Sequence, residues 1–169
     1  MSEKKMSRTH RIVLMAMLAA IQIVLSRFLS INLWNLKIGF AFVPIALAGM
    51  LLGPVGAGLT GMVADIIGAT LFPSGTFFPG FTLTAFITAF GYGFFLQKKQ
   101  NIGNILAAVL FSEIVGTILL NTLWISILYG TPFIAVMIPR IGQAVGMAVV
   151  EVIVIKLLAK YVPYLKKSL

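Results

Sequence analysis

"LMAMLAAIQIVLSRFLSINLWNLKIGF", residues 14–40, decides the fold. Its first half completes an apolar run from Ile12 to Leu25 that, with its flanks, can cross a hydrocarbon core of about 30 Å as a helix. The run then meets Arg27, and Lys37 follows ten residues later. Similar apolar runs recur along all 169 residues, and the chain is 60% hydrophobic and only 10% charged, far beyond what one soluble core of this size requires. A membrane barrel would alternate apolar and polar residues over segments of about ten, and no such period occurs. The sequence therefore predicts an all-α integral membrane protein.

Six transmembrane helices are expected, at about 11–30, 38–53, 56–72, 80–96, 103–128 and 138–161, forming one compact bundle over residues 1–169. The formal net charge of +9 would suggest nucleic acid in a soluble protein, but here the cations lie at helix ends. Lys4, Lys5, Arg8 and Arg11 precede the first span, Lys98 and Lys99 follow a middle one, and Lys156, Lys160, Lys166 and Lys167 close the chain. That distribution makes those places cytoplasmic, both termini included, and so requires an even number of crossings. The first apolar run lacks a small-residue cleavage site and leads into further spans, which argues against a secretory signal.

Several chemistries are excluded. There is no cysteine and His10 is the only histidine, so no thiolate site, Ser-His-Asp arrangement or His-carboxylate metal centre can be built. No G-x-x-x-x-G-K-[ST] loop is present for ATP. The expectation is a protein without a catalytic centre, metal or cofactor.

The segments assigned to the outer face are "SINLWNLK" (30–37), "FPSGTFFPGF" (72–81) and "YGTPFIAVMIP" (129–139). Connections this rich in Pro, Gly and aromatics are poor solvent-facing loops and are expected to fold over a ligand pocket as a cap. The simpler alternative is an aromatic belt at the headgroups made by Trp34, Phe77, Phe78 and Tyr129.

Charged side chains inside a span are costly and need a partner or a polar cavity. Asp65, Glu113 and Glu151 lie within spans; Arg27, Lys37 and Arg140 lie at outer ends. At about 100° per residue, Arg140, Gln143, Ala144, Met147 and Glu151 share one face of the sixth span. Glu113, Gly116, Thr117, Leu120 and Trp124 share one face of the fifth, with Asn121 on its edge. Arginines snorkelling to headgroups and acids bonding between helices would explain each residue singly. Taken together, three cations, two amides and aromatic loops on one side suit an anionic ligand carrying a flat ring. Asp65 reads as a structural partner for a cation or a backbone group, with ligand contact as the alternative. Small residues four apart, Gly49 and Gly53 or Gly142 and Gly146, are read as internal packing. Ala16 and Ala20 differ, lying just after the basic tail where a partner protein could dock.

With these residues in view, the chain resembles a substrate-binding S-component of an energy-coupling factor (ECF) vitamin transporter, and among these the folate-specific branch. The resemblance rests on Ala16-x-x-x-Ala20, "RFLSINLW" (27–34), "KIGFAFVPIALAGMLLGP" (37–54), "VADIIG" (63–68), "PSGTFFPGFTLTAF" (73–86), "NTLW" (121–124) and "PRIGQ" (139–143). It implies that the chain captures folate or a related pterin outside and delivers it inward by reorienting in a bacterial cell membrane. A separate membrane scaffold, the T-component, and two cytosolic ATPases would supply energy, the scaffold docking on Ala16 and Ala20. By the same resemblance, Phe77, Phe78 and Trp124 would sandwich the ring, Asn121 and Gln143 would bond the pterin edge, and Arg27, Lys37 and Arg140 would face the glutamate carboxylates. Arg27 shares nearly the azimuth of Ala16 and Ala20, so a tilted first helix, with about 16 Å of rise between Ala16 and Arg27, must serve both. The alternatives are an S-component for riboflavin or thiamine, a solitary proton-coupled carrier using the buried acids, or a structural subunit. Thiamine is cationic and would be repelled by Arg27 and Arg140.

Overall fold

The structure is a computed structural model that describes residues 7–32, 37–73 and 75–168, without the side chains of Asn32, Lys37, Lys167 and Ser168. The roles expected of Lys37 and Trp34 thus lie outside what is described. The fold is helical apart from one short hairpin. Helix α1 spans Arg8–Arg27, α2 Phe42–Leu71, α3 Pro79–Leu96, α4 Ile102–Phe111, α5 Asn121–Tyr129 and α6 Phe133–Ser168. A π-helical segment, Ser112–Leu120, joins α4 to α5. Five stretches are long and apolar enough to cross a membrane, with Ile102–Tyr129 counting as one.

The expected spans 38–53 and 56–72 form one element with a break. At Gly53, φ is +79° and ψ is −174°, a conformation open to glycine and costly for any residue with a Cβ, and Pro54 then restarts the helix. Phe42 and Ile45 near the start of α2, and Ala64, Asp65 and Ala69 near its end, line the same cavity. A straight helix would put Phe42 and Ala69 about 40 Å apart, so the two arms of α2 must fold back on each other at Gly53. The first arm also packs closely on α3: a Cβ on Gly49 would lie 2.8 Å from the Gly93 nitrogen. Arg11 donates from Nη2 to the Leu52 carbonyl at 3.3 Å, satisfying a group that the break leaves exposed at the end of the first arm.

The first arm starts at Phe42 rather than residue 38 because Lys37–Ile38 forms strand β2, antiparallel to β1, Ile31–Asn32, with Ile31 opposite Ile38. The α3–α4 turn is tied by side chains. Asn101 Oδ1 accepts from the Asn104 N–H at 3.0 Å as the cap of α4, and Asn104 Nδ2 donates to the carbonyls of Phe95 and Lys99. Helix α5 ends at Gly130, whose φ of +63° gives the left-handed cap. The segment 129–139, expected as a loop, is largely helical, because Pro139 sits inside α6 and does not start it. A proline lacks one hydrogen bond and can be carried inside a helix at that cost.

The core gathers Met50, Tyr92, Leu96, Ile105, Val109 and Ile155 between α2, α3, α4 and α6. Helix α1 lies against α2 through Leu18 and Ala19, leaving Ala16 and Ala20 exposed. Gly49 is explained by internal packing, whereas Gly142 and Gly146 are exposed with open space where a Cβ would sit, so internal packing does not explain that pair.

Candidate functional site

At the end of the bundle opposite the basic turns lies a cavity of about 450 Å³, within the range of small-molecule sites. Every helix except α4 contributes to it. From α1 come Gln22, Ser26 and Arg27; from α2, Phe42, Ala64 and Asp65; from the following loop, Phe77 and Phe78. Helix α3 adds Phe81, Thr84, Thr88 and Tyr92, the π segment adds Ser112, Gly116 and Thr117, and beyond it lie Asn121, Ile125, Tyr129 and, from α6, Arg140. A second cavity of about 310 Å³ shares Ala41, Phe42, Phe81, Ser112, Thr117, Asn121 and Arg140 with the first. Its own walls are Ser30, Gly39, Glu113, Gln143, Met147 and Glu151.

The two arginines reach the cavity from different elements. Arg27 Nη2 stands 3.7 Å from Asp65 Oδ1, and Thr82 Oγ1 donates to Asp65 Oδ2 at 2.7 Å. The carboxylate is therefore fixed by a hydroxyl and in turn holds the guanidinium loosely at the cavity wall. Gly68 makes room for this side chain, since a Cβ there would lie 2.9 Å from Arg27 Nε. Arg140 is buried and donates from Nη1 to the Thr117 carbonyl at 3.3 Å. That carbonyl belongs to the π segment, where bonding runs five residues back, as in the Asn121 N–H to Gly116 carbonyl bond. Long π segments are rare and occur at functional sites, because the altered winding re-aims side chains.

The aromatic wall is built from rings packed edge-on and tilted. Phe78 lies 5.7 Å from Trp124 and 6.1 Å from Phe81, ring centre to ring centre. Trp124 Nε1 donates to Thr84 Oγ1 at 2.9 Å, and Thr84 Oγ1 donates to the Gly80 carbonyl at 3.1 Å. A Cβ on Gly80 would come within 2.5 Å of the indole and 2.7 Å of the Phe78 ring, so this ring arrangement requires glycine at residue 80. Donors and acceptors from six elements, two guanidinium groups and an aromatic cluster thus converge on one cavity.

Residues 10–159 match the family described as "ECF transporter, substrate-specific component". The chain belongs to that family.

Relatives place this S-component more narrowly. It is 38% identical over 151 residues to the folate transporter FolT of Clostridium novyi (strain NT), covering 89% of this chain and 88% of that protein. It is 35% identical over 151 residues to the FolT of Leuconostoc mesenteroides, covering 85% and 81%. Among solved structures, the crystal structure of FolT bound with folic acid superposes with a TM-score of 0.78 at 39% identity, over 84% of this chain and 86% of that one. The S-component shares that fold.

Of the residues expected to bind ligand, Arg27, Phe77, Phe78, Asn121 and Arg140 line the larger cavity, and Gln143 lines the smaller. Trp124 does not line either. A regular α-helix would have aligned Trp124 with Glu113 and set Asn121 at the edge, but the π winding turns Asn121 to the cavity and places Trp124 behind Phe78. Trp124 therefore supports the ring wall and does not form its surface. The role of Asp65 as a cation's partner is met by Arg27.

Sequence reasoning passed over Gln22. It is buried, lines the larger cavity, and its Oε1 accepts no hydrogen bond. The available signal was its isolation as the one polar side chain between Ile12 and Leu25, one helical turn before Ser26. Thr84 and Tyr92 were likewise legible only once α3 could be placed.

Proposed function

We propose that this S-component binds folate in the cavity walled by Arg27 and Arg140 and is the substrate-specific subunit of an ATP-driven importer. The observation that carries the reading is the joint placement of two guanidinium groups and the Phe77–Phe78 wall on one cavity, in a chain 39% identical to a FolT crystallised with folic acid. Folate has a flat pterin, an aminobenzoyl ring and a glutamate with two carboxylates. Arginine is the side chain whose planar fork suits those carboxylates, and aromatic faces suit the rings. Riboflavin has no carboxylate to meet the guanidinium groups, and thiamine carries the wrong charge.

In this reading the two arms of α2 are separate crossings, giving six, with both termini and the Lys98–Lys99 turn in the cytoplasm of a bacterial cell. The support is the distribution of Arg8, Arg11, Lys98, Lys99, Lys156 and Lys160 at the end away from the cavity. The cavity then opens outward. Transport needs partners: a membrane scaffold docking on the exposed Ala16 and Ala20, and two cytosolic ATPases, with no cofactor in this subunit. Small residues on an exposed helix face allow a partner helix to approach closely, which supports that assignment.

Titration calorimetry on the detergent-purified protein tests the binding. Folic acid is expected to bind with submicromolar Kd, and Arg140→Ala to weaken it by about tenfold or more, the scale of a lost charge-assisted bond. Binding of riboflavin without any binding of folic acid would overturn the assignment.

A further inference from the structure

The smaller cavity carries chemistry that an anionic tail cannot use. Glu113 and Glu151, both buried, line it together with Arg140, Asn121 and Gln143. The Glu113 and Glu151 side chains are hydrogen-bonding neighbours, with the Thr117 hydroxyl beside Glu113. Tyr92 Oη donates to Glu151 Oε2 at 2.6 Å, fixing that carboxyl from α3. Glu113 Oε2, by contrast, is buried on the cavity wall and accepts no hydrogen bond. At 7% exposure the residue is more than nine-tenths buried, and no protein group gives that oxygen a donor.

Buried acceptors in native proteins are almost always satisfied, and one that is not, on the wall of a ligand-sized cavity, marks where a donor arrives. A divalent cation is a poor candidate, since it takes six or more oxygen ligands and, among the described residues, no group of three acidic or histidine side chains occurs. A purely structural acid is also a poor account. Glu113 adds a second buried carboxyl in a membrane span and, although Glu151 and Thr117 stand beside it, keeps one oxygen without a protein donor. The class that fits is a flat heterocycle with N–H donors along one edge. The shared wall residues Phe42 and Phe81 give such a ring an apolar passage between the two cavities.

We propose that Glu113, braced by Glu151 and Tyr92, is the specificity-determining acceptor for the N–H edge of the ligand's ring. This rests on the folate reading, under which the edge is the 2-amino and N3–H pair of the pterin. Glu113 Oε2 takes an N–H from that pair. The amides of Asn121 and Gln143 on the same wall can serve the oxo group and ring nitrogens, and the glutamate tail lies in the larger cavity toward Arg27.

The test compares three ligands by calorimetry: folic acid, its 2-desamino-2-methyl analogue, and p-aminobenzoylglutamate, which has the tail and no pterin. The wild type is expected to bind folic acid about tenfold or more tighter than the 2-desamino analogue, because a site built to bond an N–H rejects a ligand lacking it. Glu113→Ala is expected to bring folic acid and the analogue to similar affinity and to leave p-aminobenzoylglutamate unchanged. Equal losses for all three ligands, or an unchanged preference for folic acid in Glu113→Ala, overturns the proposal. If Glu113→Ala does not fold, as judged by circular dichroism, the wild type decides: equal affinity for folic acid and its analogue overturns it. A wild type that binds no folic acid at all overturns the parent reading, and this one with it.

Discussion

The indole of Trp124 and the hydroxyl of Thr84 meet at 2.9 Å, 40 residues apart in sequence, and their bond holds the wall on which Phe78 rests. Because Trp124 is behind that wall and Phe78 is on it, the two should respond differently to mutation. Trp124→Phe keeps a ring and loses the bond, so it should cost about 1 kcal/mol of stability and change folic acid affinity by a few-fold at most. Phe78→Ala removes cavity surface and should weaken folic acid by about tenfold or more. Thermal unfolding in detergent alongside calorimetry separates the two; a larger affinity loss in Trp124→Phe would place the indole at the ligand after all.

Gln22 offers a cleaner separation of binding from stability. Its amide oxygen is buried on the wall of the larger cavity without a protein partner, so it adds little to the packing of the fold. Gln22→Leu is expected to leave the ligand-free melting temperature unchanged or higher while folic acid binding weakens by about tenfold. A variant that melts lower and binds as well as the wild type would show that Gln22 serves packing.

The Arg27 and Asp65 pair sets an order between two charges. Asp65 faces Thr82 and Arg27, so its carboxylate orients the cation and is not itself suited to an anionic ligand. Arg27→Ala should weaken folic acid by about tenfold or more, and Asp65→Asn, which keeps an acceptor for Thr82, by about threefold or less. The opposite ranking, read from the same titrations, would assign ligand contact to Asp65.

On the first helix, bulk at the exposed positions should part binding from transport. Ala16→Trp with Ala20→Trp adds two indoles to an exposed face, while the buried Leu18, Ala19 and Gln22 keep their contacts. Folic acid binding is expected within about twofold of the wild type, and ATP-dependent uptake by the assembled importer is expected to vanish. Lost binding would mean that α1 had been displaced.

Much of this is legible in the sequence, because membrane insertion forces hydrophobic runs to declare themselves. Arg140, Gln143, Met147 and Glu151 line one cavity as the regular helical period places them. The same rule failed in the neighbouring span, where nine π-helical residues rotate Asn121 in and Trp124 out. Winding of that kind depends on which carbonyls find partners, here Thr117 with Arg140 and Thr122, and those partners lie in tertiary structure. Pro139 misled for a related reason: it reads as a boundary, yet α6 runs through it. The reversal at Gly53 was visible only as a short glycine and proline turn. That its two arms end at one cavity could not be read from spacing.

That reversal gives α2 the mechanics of a pair of tongs. Gly53 is the pivot, pinned by Gly93 and by the Arg11 contact to Leu52, and the jaws carry Phe42 at one tip and Ala69 at the other. A molecule held between the jaws therefore touches both halves of one continuous stretch of backbone, whose only break, at Gly53, lies at the far end from it.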